Sequence, residues 1–266
     1  GFDHVPPLDA AAGIVAAGAG LKVLLVSDRC VPPKRGLTAA SVLEALGLSM
    51  TWDPAEAEDW VCKAGFAVVS ASGMLPGLMG LRRVRGEIGV RTPLATIEKL
   101  IVPPKATMLT GAQAGPVLGM AVEVLANLGH SRGIAIQGAE GGVIPYLTKR
   151  TRGIELSGSN QVPLSIEPAD FGLDETVEPD MPMFGPPEDG YGSGDNPLLV
   201  KACGEVTMSA LSGETSPARS ATVLGAALIF KAAGRVPTIA DGVSLASESI
   251  DSGAARRVIE RLRSLA

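Results

Sequence analysis

The sequence predicts an α/β fold with a mostly parallel central sheet, helices on both faces of that sheet, and further helices at the C-terminal end. Two observations indicate this class. Short apolar runs rich in β-branched residues alternate with helical patterns in the first half of the chain, and the end of the chain is a succession of helical patterns. Strands that are apolar throughout are typical of parallel sheets covered on both faces. A chain of 266 residues can bury one large core, so residues 1–266 are predicted to form a single α/β domain.

The first half supplies strand-like runs separated by helical patterns. The strand-like runs are residues 22–27 (KVLLVS), 66–71 (FAVVSA) and 133–137 (GIAIQ). Each is short and apolar, as expected of a buried strand. The helical patterns cover residues 10–19, 38–46 and 116–128. Thr38 is predicted to cap the second helix, while Gly47, in a left-handed turn, and Gly129 are predicted to end the second and third.

The second half contains an interruption that is followed by helices. Residues 174–197 are acidic and rich in Pro and Gly, which predicts a loop within the domain. Four helical patterns come after it, at residues 198–211, 217–233, 243–250 and 254–265. Asn196 stands directly before the first of them, where an asparagine is expected to act as the N-cap.

The composition argues against several classes of protein. No run of about 18 uncharged apolar residues is present, so no membrane span is predicted, and the start lacks the pattern of a signal peptide. A net charge of −5 and an aromatic content of 3% argue against a generally basic, base-stacking nucleic-acid surface. Three widely spaced cysteines and two histidines make neither a disulfide framework nor a metal-ligand spacing. A reducing compartment fits best, which predicts a cytoplasmic location.

Five segments, in order, carry a resemblance to a known family. They are VLEALG at residues 42–47, RGEIGVRT at 85–92, AVEVLANLG at 121–129, LSGE at 211–214 and DGVSLASESIDSG at 241–253. Together they resemble the catalytic domain of the anthranilate phosphoribosyltransferase family, within glycosyl transferase family 3. The resemblance implies a transferase that binds phosphoribosyl pyrophosphate (PRPP) with Mg²⁺. The family's N-terminal helical domain, which also forms the dimer, is expected to be absent from this chain, so a homodimer and a partner that supplies this domain are both open.

The resemblance places two phosphate-binding loops, and both are altered here. Backbone N–H groups of glycine-rich loops near helix starts bind phosphates. The first loop is replaced by the opening residues of this chain, which two prolines follow. The second keeps its arginine, and a basic turn with a glycine precedes the helix that Thr38 caps. The predicted phosphate-binding residues are Gly1, Asp3, Asp28, Arg29, Lys34, Arg35 and Gly36.

The family's metal motif is also altered. The resemblance places an Asp-Glu pair on Val143 and Ile144, and apolar side chains cannot bind Mg²⁺. Glu140 is the only carboxylate nearby in the sequence, within the glycine-rich stretch that begins at Gly138. Mg²⁺ is therefore doubtful as a cofactor and no metal ligand is predicted, while Gly138 and Glu140 remain candidate binding residues.

The acceptor side of the family's site is better preserved. Arg91 matches the arginine that meets the anthranilate carboxylate, and a planar guanidinium suits such a contact. The alternative is a structural ion pair of Arg91 with Glu87 or Glu98. The arginines at positions 82, 83, 85 and 91 are interpreted mainly as a solvated face, with phosphate binding as the alternative.

Two functions remain open from the sequence. The first is a glycosyl- or phosphoribosyl-transferase-like enzyme that acts on an unidentified acceptor, with a degenerate PRPP–Mg²⁺ site and no assigned catalytic residue. The lost metal pair argues against an authentic anthranilate phosphoribosyltransferase. The second is a non-catalytic protein on the same fold that binds a nucleotide or nucleic acid, because a fold does not fix a function. The expected partner in either case carries phosphate, as PRPP or a nucleotide does.

Overall fold

The computed structural model describes residues 2–29, 31, 36–90, 92–103, 105–113, 115–181 and 196–265. Within these ranges the helices are α1 (Asp9–Gly18), α2 (Ala39–Ala45), α3 (Pro54–Ala64), α4 (Ala71–Met74), α5 (Gly77–Gly80), α6 (Arg82–Ile88), α7 (Leu94–Ile97), α8 (Pro116–Asn127), α9 (Pro197–Ser212), α10 (Pro217–Ala232), α11 (Ile239–Asp251) and α12 (Ala254–Arg263). The strands are β1 (Val23–Val26), β2 (Phe66–Val69), β3 (Met108–Gly111), β4 (Arg132–Ile136), β5 (Thr151–Ser157) and β6 (Asn160–Ile166). This succession of strands and helices confirms the predicted α/β class.

Helix ends follow the predicted capping residues. The Thr38 hydroxyl accepts a hydrogen bond at 3.3 Å from the backbone N–H three residues later, and the Asn196 side chain accepts one at 3.0 Å from the N–H two residues later. Gly47 (φ +72°) and Gly129 (φ +87°) follow α2 and α8 in the left-handed conformation, which glycine adopts without steric strain. Local signals therefore set the bounds of these helices.

The strands form two sheets. β1 pairs with β2 in parallel, with Val23 opposite Phe66. β3 pairs with β4 in parallel, with Met108 opposite Gly133. β5 and β6 extend the second sheet through antiparallel pairs, which gives the strand order β3-β4-β5-β6.

The β5–β6 hairpin is an element that the sequence analysis did not predict. Its two seven-residue strands are joined by Gly158 and Ser159, and Gly158 has a φ of +61°. A two-residue turn that contains glycine, between two strand-like runs, is a recognised hairpin signal. The signal was present in the sequence, and the hairpin adds antiparallel pairing to the predicted parallel sheet.

Alternate residues of β4 face two different cores. Ile134 and Ile136 pack in the large core to which α1 and α10 contribute, whereas Ala135 packs in a smaller core with Leu118 and Val122 of α8. Successive side chains of a strand point to opposite faces of its sheet. Helices therefore cover both faces of this sheet, as predicted.

Small residues bring the first and last helices into contact. A Cβ atom added at Gly18, the last residue of α1, would lie 2.5 Å from Ser249 Oγ and 2.7 Å from the backbone N of Ala255. The Ser249 hydroxyl also donates a hydrogen bond of 2.8 Å to the Val15 carbonyl. These contacts fix α1, and with it the start of the chain, against α11 and α12.

The predicted loop at residues 174–197 is described only in part. Residues 174–181 form neither helix nor strand, and residues 182–195 lie outside the described residues. No helix in the part of the chain that the structure describes is long and apolar enough to cross a membrane.

Candidate functional site

A cavity of about 360 Å³ opens where β1 and β3 end. Its wall includes the end of β1 with Ser27 and Asp28, the end of β3 with Gly111, and the loop after β4 from Glu140 to Val143. Ligands of open α/β sheets commonly bind at the carboxyl ends of the strands. This cavity is therefore the candidate site.

Asp28 lies in the cavity wall with both carboxylate oxygens engaged. It accepts hydrogen bonds from the hydroxyls of Ser70 and Ser72, the second at 2.9 Å, and Arg82 Nη2 lies 3.8 Å away. The side chain is almost fully buried. Asp28 thus joins the end of β1 to α4 and α6. Its predicted contact with a phosphate stays a prediction.

Arg29 lies at the rim of the cavity and is paired with Glu44 of α2. Its Nε is 2.7 Å from one carboxylate oxygen, and its Nη2 is 2.9 Å from the other. The hydrogen bond to Glu44, and then its negative charge, raise the pKa of Arg29. An exposed pair of this kind stabilises a fold little, so the guanidinium can exchange partners with a ligand.

The opening residues form a short segment, Phe2–His4, which we call the strap. Phe2 N donates a 2.7 Å hydrogen bond to the Leu37 carbonyl and Phe2 O accepts one of 2.9 Å from Leu37 N. Gly36 is buried, and a Cβ there would collide with the Phe2 carbonyl oxygen. The structure therefore gives Gly36 a role in the close approach of the strap, and its predicted phosphate contact is untested.

Glu140 is bonded to the strap from the opposite side of the cavity. Its Oε2 accepts a hydrogen bond of 2.8 Å from Asp3 N, and its Oε1 accepts one of 2.6 Å from His4 N. Glu140 has a φ of +49°, a left-handed conformation that costs a non-glycine residue about 1–2 kcal/mol. Two predicted site residues, Asp3 and Glu140, are thus brought together.

The loop after β4 does not fit a protein-held Mg²⁺. The side chains of Val143 and Ile144 offer no oxygen ligand, and both oxygens of Glu140 already accept backbone N–H groups. Among the described residues no group of three His, Cys, Asp or Glu is placed to hold a metal. Gly138 allows a tight loop, because a Cβ there would lie 2.5 Å from the carbonyl oxygens of Gly142 and Ile144.

Arg85 lines the cavity, although the sequence analysis interpreted its cluster as a solvated face. It is only 3% exposed, its Nη1 binds Glu98, and its buried Nε has no hydrogen-bond partner. The interpretation is right for Arg83, which is exposed and pairs with Glu87 at 2.7 Å, and wrong for Arg85. Helical periodicity could not reveal this, because α6 exposes its apolar residues, such as Val84, to solvent.

Asp9 is a second cavity residue that sequence reasoning missed. It begins α1, is half-buried and lines the cavity, and its Oδ1 accepts a hydrogen bond of 3.2 Å from Ala10 N. Burial raises the pKa of the Asp9 carboxyl above its ordinary value. A carboxyl with a raised pKa in a cavity is a candidate for proton transfer.

Other predicted site residues fall outside the structural description. Gly1, Lys34, Arg35 and Arg91 lie outside the described residues, so their predicted phosphate and acceptor contacts remain predictions. The two alternative partners proposed for Arg91 already form ion pairs, since Glu87 binds Arg83 and Glu98 binds Arg85.

Comparison with known proteins places this cavity in a family context. Residues 8–256 match the family described as "Glycosyl transferase family, a/b domain". The chain is 29% identical over 256 residues to an anthranilate phosphoribosyltransferase of Desulfitobacterium hafniense, with 96% of this chain and 71% of that protein covered. Among solved structures, the anthranilate phosphoribosyltransferase of Thermus thermophilus has a TM-score of 0.77 at 26% identity, covering 99% of this chain and 74% of that one. The Saccharomyces cerevisiae protein in complex with PRPP and Mg shares the fold, with a TM-score of 0.76 at 18% identity, over 99% of this chain and 70% of its own.

Proposed function

The chain belongs to the glycosyl transferase family matched by its α/β domain, and on that premise we propose that it is a phosphoribosyltransferase-like transferase. The proposed donor is PRPP or a related phosphorylated sugar, and the proposed acceptor carries an anionic group. Anthranilate phosphoribosyltransferases are the relatives it resembles. The changed metal motif favours a reaction that does not depend on Mg²⁺ held by protein carboxylates.

The observation that carries this proposal is Arg85 in the cavity wall. A guanidinium that is 97% buried is costly unless its donors are satisfied, yet its Nε has no partner. A carboxylate or phosphate in the cavity would satisfy this donor with a charge-assisted hydrogen bond once the Arg85 side chain turns Nε toward the ligand. Glu98 balances the positive charge of Arg85. Arg85 is accordingly our candidate for the residue that orients an anionic acceptor.

Phosphoribosyl transfer also needs groups that bind the leaving pyrophosphate and a group that accepts a proton. The acceptor nucleophile forms a bond to the sugar carbon, the bond from that carbon to the pyrophosphate oxygen breaks, and the nucleophile loses a proton. The leaving pyrophosphate needs hydrogen-bond donors and positive charge. Arg29 at the rim, and the backbone amides of the strap, are the described groups that support this role. Asp9 is our candidate for accepting the proton, because its raised pKa suits proton transfer.

Arg85→Lys tests the role of Arg85 without removing its positive charge. Lysine keeps an ion-pair partner for Glu98 but lacks Nε and the planar fork. We expect kcat/KM for PRPP-dependent pyrophosphate release to fall about tenfold or more, the loss of one charge-assisted contact. The assay measures pyrophosphate release from PRPP with a panel of carboxylate-bearing amines as acceptors.

Arg83→Lys is the matched control, because Arg83 lies on the same helix but is exposed and paired with Glu87. This variant should retain wild-type kcat/KM. If both variants lose kcat/KM equally while their unfolding temperatures stay unchanged, Arg85 has no specific role in binding the acceptor. A wild-type protein that releases no pyrophosphate with any acceptor would contradict the proposed transfer.

The second candidate function is ligand binding without transfer. The observation in its favour is the apolar pair Val143 and Ile144, together with a Glu140 carboxylate that is engaged by the strap. A protein that binds PRPP or a nucleotide, with Arg85→Lys weakening this binding, but that leaves PRPP intact with every acceptor, would favour this function.

A further inference from the structure

Helix α6 is joined to the wall of the cavity by two ion pairs. At its first residue, Arg82 Nη2 lies 3.8 Å from Asp28 Oδ2, and one turn later Arg85 Nη1 binds Glu98. Residues three apart on a helix lie on the same face, so both pairs act on one side of α6. Asp28 and Glu98 both line the cavity. The cavity wall therefore holds α6 at two points.

The apolar side chains of α6 contribute little to its position. Val84 and Ile88 are 45% and 51% exposed, and neither belongs to a buried apolar cluster in the described part of the chain. Arg83 pairs with a residue of the same helix, which does not attach α6 to another element. A helix that buries no apolar stripe depends on its polar contacts. The two ion pairs therefore provide much of the attachment of α6 to the rest of the domain.

Asp28 is well suited to hold a helix in place. Its side chain is 5% exposed, and the hydroxyls of Ser70 and Ser72 donate to its two oxygens. Both serines are buried, and Ser70 also accepts a hydrogen bond of 3.0 Å from Gly73 N, which caps α4. These bonds fix the orientation of the carboxylate that attracts Arg82. An ionised carboxylate is also an acceptor only, so it has no hydrogen to donate to a phosphate oxygen.

We infer that Asp28 is a positioning residue for the acceptor end of the cavity: it holds α6 through Arg82, and α6 in turn places the Arg85 guanidinium. This role needs no contact between Asp28 and a ligand, and it differs in that respect from the phosphate contact predicted from the sequence. It rests on the proposed function, which makes Arg85 the contact of the acceptor. Without the charge of Asp28, α6 keeps the ion pair to Glu98 and loses the other, so Arg85 is less well oriented.

Asp28→Asn removes the charge that attracts Arg82 and keeps the size of the side chain. Serine hydroxyls both donate and accept, so they can bond to an amide as well as to a carboxylate, and the fold should persist. In the pyrophosphate-release assay, with the acceptor that wild type uses best, we expect the KM for the acceptor to rise about tenfold or more and the KM for PRPP to change less than about twofold. An unchanged KM for the acceptor, or an equal rise in the KM for PRPP, would overturn the inference.

Arg82→Met breaks the same ion pair from the other side. If Asp28 acts only through Arg82, the two single variants and the double variant raise the KM for the acceptor by the same factor. Effects that multiply in the double variant would show that Asp28 acts independently of Arg82, which contradicts the inference. If Asp28→Asn does not fold, Arg82→Met must by itself reproduce the selective rise in the KM for the acceptor.

Asp59→Asn is the matched control for the loss of a paired carboxylate. Asp59 is exposed on α3 and lies 2.7 Å from Lys63 of the same helix. Both KM values should stay at those of wild type. The same selective rise in this variant would show a general effect of charge and would remove the specific role of Asp28.

The Nε–H resonance of Arg85 tests the placement of this side chain without any transfer reaction. The resonance is identified in ¹H–¹⁵N spectra by its absence from Arg85→Lys. It should shift in Asp28→Asn and Arg82→Met and stay in place in Asp59→Asn. If it stays in place in both variants of the ion pair, the inference is wrong whatever the activity. A wild-type protein that releases no pyrophosphate, while the resonance shifts as expected, contradicts the transferase proposal alone.

Discussion

At the scale of single residues, the charged groups of the cavity already have partners within the chain. Arg85 binds Glu98, and Asp28 accepts the hydroxyls of Ser70 and Ser72. A ligand must therefore add to these hydrogen bonds and ion pairs or replace them, because most charged side chains named here are already paired. When a ligand replaces an internal partner, the binding free energy gained is only the difference between the two interactions, so each contact contributes modestly to affinity.

Sequence reasoning located part of this site. The resemblance named Asp28 and Glu140, and both line the cavity, because the resemblance follows the order of strand ends along the chain. It could not locate Arg85 or Asp9. Their significance depends on burial, which for Arg85 contradicts the helical pattern and which for Asp9 raises the pKa of its carboxyl.

The raised pKa of Asp9 makes a prediction about stability and pH. The folded state holds the Asp9 proton more tightly than the unfolded state. The contribution of this proton to the stability of the fold is therefore fully present below the ordinary pKa of 3.8, and it is lost as the pH rises through the pKa of the folded state. Asp9→Asn should therefore be more stable than wild type at neutral pH, with an advantage that shrinks as the pH falls toward 3.8. Urea unfolding of both proteins across this range measures the difference, and a difference independent of pH would contradict burial as the cause.

At the scale of elements, local sequence signals predicted where helices begin and end, but they did not predict how the strands pair. Thr38, Asn196 and Gly47 act within one helical turn of their own positions, so their effects can be read from neighbouring residues. The β5–β6 hairpin depended on a two-residue turn at Gly158. The pairing of the strap with Leu37 joins residues 35 positions apart through backbone groups, which leave no side-chain pattern in the sequence.

Two helical glycines allow a test of how closely the elements pack. Gly18 meets Ser249 and Ala255 at distances that leave no room for a Cβ, whereas Gly119 in α8 has open space around it. Gly18→Ala should lower the free energy of unfolding by about 1–3 kcal/mol through overpacking. Gly119→Ala should raise it by about 0.5–1 kcal/mol, because alanine favours the helix. Chemical denaturation compares the two, and a stabilised Gly18→Ala protein would show that α1 does not lie this close to α11 and α12.

At the scale of the whole molecule, the cavity lies between the β1–β2 sheet and the four-stranded sheet, and the strap contacts both sides of it. The family model matches residues 8–256, and the solved structure of the Thermus thermophilus protein shares the fold over 99% of this chain. In the described loop after β4, the side chains of Val143 and Ile144 offer no oxygen to a metal, and both oxygens of Glu140 accept N–H groups of the strap.

Calorimetric titration of the wild-type protein with PRPP, with and without Mg²⁺, tests most directly whether this cavity is a donor site without a protein-held metal. We expect PRPP to bind in both conditions, with dissociation constants that differ by less than about tenfold. The proposed contacts are Arg29 and the strap amides, which do not depend on the ion. Binding that appears only with Mg²⁺ and is lost in Glu140→Ala would show that Glu140 holds the metal, and the absence of PRPP binding in both conditions would contradict a donor site in this cavity.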